Sequence, residues 1–112
     1  MPPTARQLPP LSHLQFLALG TILSSEEPGR VIRDVVADYG VRRTGAAFYQ
    51  LMARLERDGL VSGWYEPLVV GDQTVRERRY RITAAGKTAW RQTRAFYESV
   101  AAAAAQGRLS NA

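Results

Sequence analysis

Apolar residues recur at helical spacing in four stretches of the chain and alternate in the region between the third and the fourth. Leu14, Leu17, Ala18, Thr21 and Ile22 mark one face of a first helix, expected over about 13–24. Ser12 is its N-cap, and Gln15 three residues later completes a capping box. Glu26, Glu27, Pro28 and Gly29 break the pattern, and the paired acids read as a solvated turn. Val31, Ile32, Val35, Val36 and Tyr39 then form the face of a short second helix near 29–39, closed by Gly40. Arg30, Arg33, Asp34 and Asp38 fall on its other side and read as solvated. Thr44 caps a third helix in which Phe48, Leu51, Met52 and Leu55 make one buried stripe, and Gly59 ends it.

Residues 60–70 and 74–83 have the character of two strands joined at Gly71 and Asp72. In the second, alternation puts Arg76, Arg78, Tyr80 and Ile82 on one side and Val75, Glu77, Arg79 and Arg81 on the other. Neither side is continuously apolar toward the turn, so the pair is expected to project into water with only its base, at Tyr80 and Ile82, buried. Thr83 caps a last helix, weakly interrupted at Gly86, with a stripe of Trp90, Thr93, Tyr97, Val100, Ala101 and Ala104. About 20 residues rise roughly 30 Å, more than a three-helix core needs. The surplus stripe is therefore expected to meet a second copy of the chain.

The predicted fold is mainly α with a small β-hairpin: a winged helix-turn-helix plus a C-terminal dimerisation helix. Its expected boundaries are a flexible N-terminal arm at 1–11, which contains four prolines, a winged-helix domain at 12–83, the dimerisation helix at 84–105 and a frayed tail at 106–112. At 112 residues the chain makes one domain with a modest core.

Composition adds a direction. The net charge is +5, and of 15 basic residues only Lys87 is a lysine. Arginine's planar fork suits phosphate and guanine edges, although a GC-rich genome produces the same bias. There is no cysteine, so neither disulfides nor thiolate metal sites are available; this fits a cytoplasmic setting. The apolar run 14–23 contains Gln15 and Gly20 and is too short to span a bilayer, so no membrane association is expected. His13 is the only histidine, and neither a hydrolase elbow nor a phosphate loop is present. No enzymatic activity, metal or cofactor is expected.

A helix running directly into an arginine-rich ribbon is a layout suited to duplex DNA. Within it, Tyr49-Gln50-Leu51-Met52-Ala53-Arg54-Leu55-Glu56, then Gly59-Leu60-Val61 and Trp64, then Arg79-Tyr80-Arg81-Ile82-Thr83 with Gly86 three beyond, resembles the PadR family of bacterial winged-helix regulators over about residues 12–100. Gln50 stands where that family usually has proline, and Met52 where it usually has leucine. The resemblance implies a homodimeric transcription factor, usually a repressor, with its third helix in the major groove and its wing on the flanking backbone. It further implies a single-helix, shorter member in which any small-molecule effector pocket is small.

The expected DNA contacts are Arg42 and Arg43 before the third helix, Thr44, Gly45, Ala46, Tyr49, Gln50 and Arg54 on it, and Arg76 and Arg78 on the ribbon. The dimer interface is expected at Trp90, Thr93, Tyr97, Val100, Ala101 and Ala104. A winged-helix module that docks protein instead of DNA, through the aromatic final helix, is the alternative; arginines gathered at both the helix start and the wing argue against it.

Overall fold

The computed structural model describes residues 7–109. In chain order it contains α1 (His13–Thr21), β1 (Glu27–Pro28), α2 (Gly29–Asp38), α3 (Gly45–Arg57), β2 (Val61–Val70), β3 (Gln73–Ile82) and α4 (Ala84–Ala105). Helix starts follow the capping chemistry of the sequence. Gln15 donates its backbone N–H to Ser12 Oγ at 3.2 Å, while Ser12 N–H donates to Gln15 Oε1 at 3.0 Å. Thr44 Oγ1 accepts from Ala47 N at 3.1 Å and Thr83 Oγ1 from Gly86 N at 3.0 Å.

Helix ends are equally local. In α3 the chain turns left-handed at Gly59 (φ +75°), and Leu60 N–H reaches back to the Leu55 carbonyl at 2.9 Å. The same closure ends α4: Gly107 (φ +72°) lets Arg108 N–H bond the Ala103 carbonyl at 2.9 Å. Residues 106–109, expected as a frayed tail, thus form a bonded helix stop, and 110–112 lie outside the described residues. Helix α1 stops at Thr21, short of the expected 24, because the chain must turn there to reach β1.

That strand was not anticipated. Glu27 and Pro28 pair antiparallel with Tyr80 and Arg79, giving a sheet ordered β1-β3-β2. Proline is tolerated because this is an edge. β2 and β3 pair in continuous register from Val61–Ile82 to Val70–Gln73, closed by the two-residue turn Gly71-Asp72 with positive φ at Gly71 only.

The core lies where the helices meet the base of this hairpin: Ala18, Leu19 and Ile22 of α1 and its end, Ile32 of α2, Phe48, Met52 and Leu55 of α3, Val61, Tyr80 and Ile82 of the sheet, and Ala89 of α4. Leu11, the last residue of the expected arm, belongs to it at 3% exposure. Residues 7–10 line a 350 Å³ cavity together with Gln92, Ala95, Phe96 and Ser99 of α4. The part of the expected arm at 1–6 lies outside the described residues.

Gly86 is no helix breaker. The first turn of α4 passes so closely over the Leu60 carbonyl that a β carbon at 86 would collide with it and with Ile82. Thr83 fixes this approach by donating N–H to Leu60 O at 3.1 Å and its hydroxyl to Gly59 O at 2.6 Å.

Candidate nucleic-acid interface

The start of α3 is exposed and pinned from behind. Arg42, Arg43, Thr44 and Ala46 are exposed, and Gly45 is half-buried. Arg33 of α2, expected to be solvated, donates from Nη2 to the Arg43 carbonyl at 3.0 Å, which ties the turn between the two helices to α2. Beyond the start, Ala46, Tyr49, Gln50, Ala53, Arg54 and Arg57 form one exposed row opposite the buried stripe of Phe48, Leu51, Met52 and Leu55. Tyr49 is only partly available. Its ring meets Phe48 edge-on at 5.3 Å, and its hydroxyl would lie 3.0 Å from a β carbon at Gly29, so glycine there makes room for it.

The hairpin presents a second surface facing the same space. Tyr49, Ala53 and Glu56 of α3 and Tyr65, Arg76, Arg78 and Tyr80 of the hairpin line one open cleft of about 560 Å³. The guanidinium of Arg76 sits 4.4 Å from the Tyr65 ring centre and that of Arg78 4.7 Å from it. Arg76 is exposed. Arg78, expected as a second wing contact, is instead half-buried and donates twice to Glu56, at 2.7 and 2.9 Å. Burial pulls the Arg78 guanidinium down, but the hydrogen bonds and charge of Glu56 outweigh it, so its pKa is raised. Burial likewise pushes the Tyr80 phenol up to about 12, against the pull of Arg78.

The far face of the hairpin has different chemistry. Arg79 lies 3.6 to 3.8 Å from the carboxylates of Glu26, Glu66 and Glu77, and Arg30 bonds Glu77 at 2.8 Å. Arg30 and the Glu26–Glu27 turn are therefore engaged with the sheet and not merely solvated. Arg81 lies 5.1 Å over the Trp64 ring. The apex is apolar, with Val69 72% and Val70 57% exposed.

No family model and no curated relative matches the sequence. Solved structures do match its fold. A PadR-family regulator from Clostridium difficile superposes with a TM-score of 0.71 at 16% identity, over 85% of this chain and 97% of that one. A PadR-family regulator from Eggerthella lenta gives 0.65 at 24% identity, over 83% and 79%. The Bacillus subtilis PadR, solved in complex with operator DNA, gives 0.57 at 17% identity, over 71% of this chain and 45% of that one. The chain has a PadR-type fold.

Within this PadR-type fold, α4 is used differently from expectation along its first half. Thr93 is fully buried within the chain and donates its hydroxyl to Ala89 O of the same helix at 2.8 Å. Trp90 stacks on Phe16 of α1 at 5.0 Å and donates Nε1–H to the Phe16 carbonyl at 3.1 Å. Both were expected at a dimer interface, yet Thr93 is buried within the chain and Trp90 fastens α4 to α1, because a single apolar stripe does not reveal which neighbour it meets. Tyr97 is half-buried, with its ring 5.6 Å from Phe16 and its hydroxyl 2.6 Å from His13 Nδ1. Further along, Val100 is half-buried and Ala101 and Ala104 are exposed.

Glu56 and Tyr65 were missed as site residues. Glu56 carried a usable signal: positions 52, 53, 59 and 60 hold Met, Ala, Gly and Leu, so no cation on its own helix lies within reach. An acid so placed is left available to a cation on another element. Among the described residues no cluster of His, Cys, Asp or Glu is arranged to hold a metal, and no helix is long and apolar enough to cross a membrane.

Proposed function

We propose that the protein is a sequence-specific transcriptional regulator that binds duplex DNA as a homodimer and represses. The observation that carries this reading is the shared surface: the exposed row of α3 and the cationic face of the hairpin border one cleft, as two prongs straddling a DNA backbone must. The row from Thr44 through Gly45, Ala46, Tyr49 and Gln50 would enter the major groove, where the small residues permit close approach and Gln50 can pair with adenine. Arg42, Arg43 and Arg54 would hold phosphates around it, helped by the free amides of the first turn of α3. Arg76 would hold the backbone beside the wing. A PadR bound to operator DNA shares this fold, which supports the assignment. In the dimer, the two helices would address major grooves about 34 Å apart, with Val100, Ala101 and Ala104 of α4 facing the partner. The cytoplasm is the corresponding setting.

Four cations per protomer give eight per dimer. With a slope of about −0.9 per phosphate, the logarithm of affinity should fall with the logarithm of salt concentration at up to about −7. The test is selection of bound duplexes from a random pool, followed by gel shifts across salt with wild type and Arg42→Ala/Arg43→Ala. The double variant should flatten the slope by up to about 3.6, four phosphates fewer per dimer. Equal slopes, or no shift with any duplex, would sink the DNA reading. The protein-docking alternative has one observation in its favour, the exposed Val69 and Val70 at the hairpin apex, and it is the reading left standing by that result.

A further inference from the structure

One carboxylate links α3 to both strands of the hairpin. Glu56, near the end of α3, accepts two hydrogen bonds from Arg78 of β3, at 2.7 and 2.9 Å, and a third from the backbone N–H of Gly63 on β2 at 3.2 Å. The junction is closely packed. A β carbon at residue 63 would lie 2.9 Å from Glu56 Oε1 and 2.8 Å from Arg78 Nη2, so a larger residue there would push these two side-chain ends aside. The Glu56 and Arg78 side chains are 35% and 23% exposed, drier than the surface pairs whose net worth is close to nothing. Arg76, by contrast, is exposed and makes no ion pair among the described residues, although it shares the Tyr65 ring with Arg78.

We infer that Glu56 is a positioning residue, which sets the spacing between α3 and the hairpin and selects Arg76 as the one cation the cleft offers to a backbone phosphate. This deepens the DNA-binding reading and rests on it. The two walls of the cleft come from elements that meet only at their bases, and the hairpin otherwise projects. On the cleft side a charged strut with three hydrogen bonds holds its cationic face toward α3, while Arg30–Glu77 ties the far face to α2. The pairing also balances charge. Arg78 cancels a carboxylate that would repel phosphate, and Glu56 removes a second guanidinium that would grip any backbone irrespective of register.

The two functions of the pair make separable predictions. Glu56→Gln frees one cation per protomer, so the salt slope of binding to a random-sequence duplex steepens, by up to about 1.8 per dimer. Preference for the selected duplex over the random one falls at least tenfold, because the wing is no longer held in register. A purely structural role would weaken both duplexes alike and leave the slope unchanged. Glu56→Asp keeps the charge but loses reach; it should lower preference with no change of slope, and it carries the test if Glu56→Gln does not fold. Arg76→Ala should flatten the slope by up to about 1.8 with preference largely kept. Independently of DNA, the Gly63 amide resonance should move in Glu56→Gln and Glu56→Asp relative to wild type, because that amide donates to the Glu56 carboxylate. Unchanged preference in Glu56→Gln or Glu56→Asp, with wild type binding normally, overturns the inference alone. A wild type that binds no duplex while the Gly63 resonance still responds to substitution of Glu56 shows that the strut exists but the DNA reading, and with it this role, has failed.

Discussion

Replacing Gly86 by alanine separates helix propensity from close packing. In an ordinary helical position the change stabilises by about 1 kcal/mol, since alanine loses less backbone entropy. Here the new methyl meets a backbone carbonyl, Leu60 O, and Ile82 Cγ1. A carbonyl cannot rotate aside as a side chain can, so α4 must lift off the strand. Overpacking of this kind costs about 1–3 kcal/mol, and lifting also stretches the Thr83 N–H bond to Leu60 O, worth about 1 kcal/mol. Set against the propensity gain, the net is a loss of about 2 kcal/mol. At roughly 4 °C per kcal/mol for a domain of this size, thermal unfolding followed by circular dichroism should show Tm lower by about 8 °C. Ala95→Gly, at an exposed position of the same helix, is the control and should cost about 1 kcal/mol. A Gly86→Ala variant that melts at or above the wild type would show that the approach to Leu60 has been misread.

Two further perturbations probe other parts of the molecule. Val100→Glu places a charge on the part of α4 proposed to face a partner; a two-fold interface counts the change twice, so at about 1.5 kcal/mol or more per copy dimer affinity should drop over a hundredfold, and sedimentation of an unaltered dimer would move the interface elsewhere. Tyr80 titrates at about 12 in the folded chain, above the ordinary phenol value near 10. The unfolded chain therefore ionises first, so stability is intact below about pH 10 and falls as pH rises toward 12, by up to about 1.4 kcal/mol per unit. Tyr80→Phe should remove that part of the alkaline slope in denaturant titrations, and a slope identical to wild type would contradict the burial of the phenol.

What was legible in the sequence was what is local. Ser12 with Gln15, Thr44 and Thr83 make their caps within three residues, and Gly59 ends α3 with a bond reaching five residues back. The hairpin followed for the same reason, since the Gly71-Asp72 turn fixes the register from Val61–Ile82 to Val70–Gln73. Relations across the fold were not legible. Glu27–Pro28 looked like a helix break because its partner, Tyr80–Arg79, lies some fifty residues away. Arg78 had the spacing of a wing contact, and only the position of Glu56 on another element shows that its charge is already committed. Trp90 and Thr93 continued one stripe with Val100 and Ala104, but the stripe divides past Tyr97, which meets His13 at the start of α1, and only its distal part remains open.

That division bears on how a dimer would set the spacing of its two prongs. Trp90 and Tyr97 fasten α4 to α1 through half-buried ring contacts and hydrogen bonds, and α1 in turn shares one core with α2 and α3. Arg33 then ties α2 to the start of α3 at the Arg43 carbonyl. A partner held on the distal half of α4 would therefore fix the position of each α3 through packed contacts instead of a linker. Helix-turn-helix dimers need this rigidity, because half-site spacing is set by protein geometry. The wing joins that chain of contacts on its far face, through Arg30–Glu77 and the pairing with β1, but its cleft face is tied to α3 through Glu56. In such a dimer, spacing between half-sites and register within each half-site would be governed by different residues, so Val100→Glu should abolish the dependence of binding on half-site spacing, whereas Glu56→Gln should leave that dependence intact and blur discrimination within each half-site.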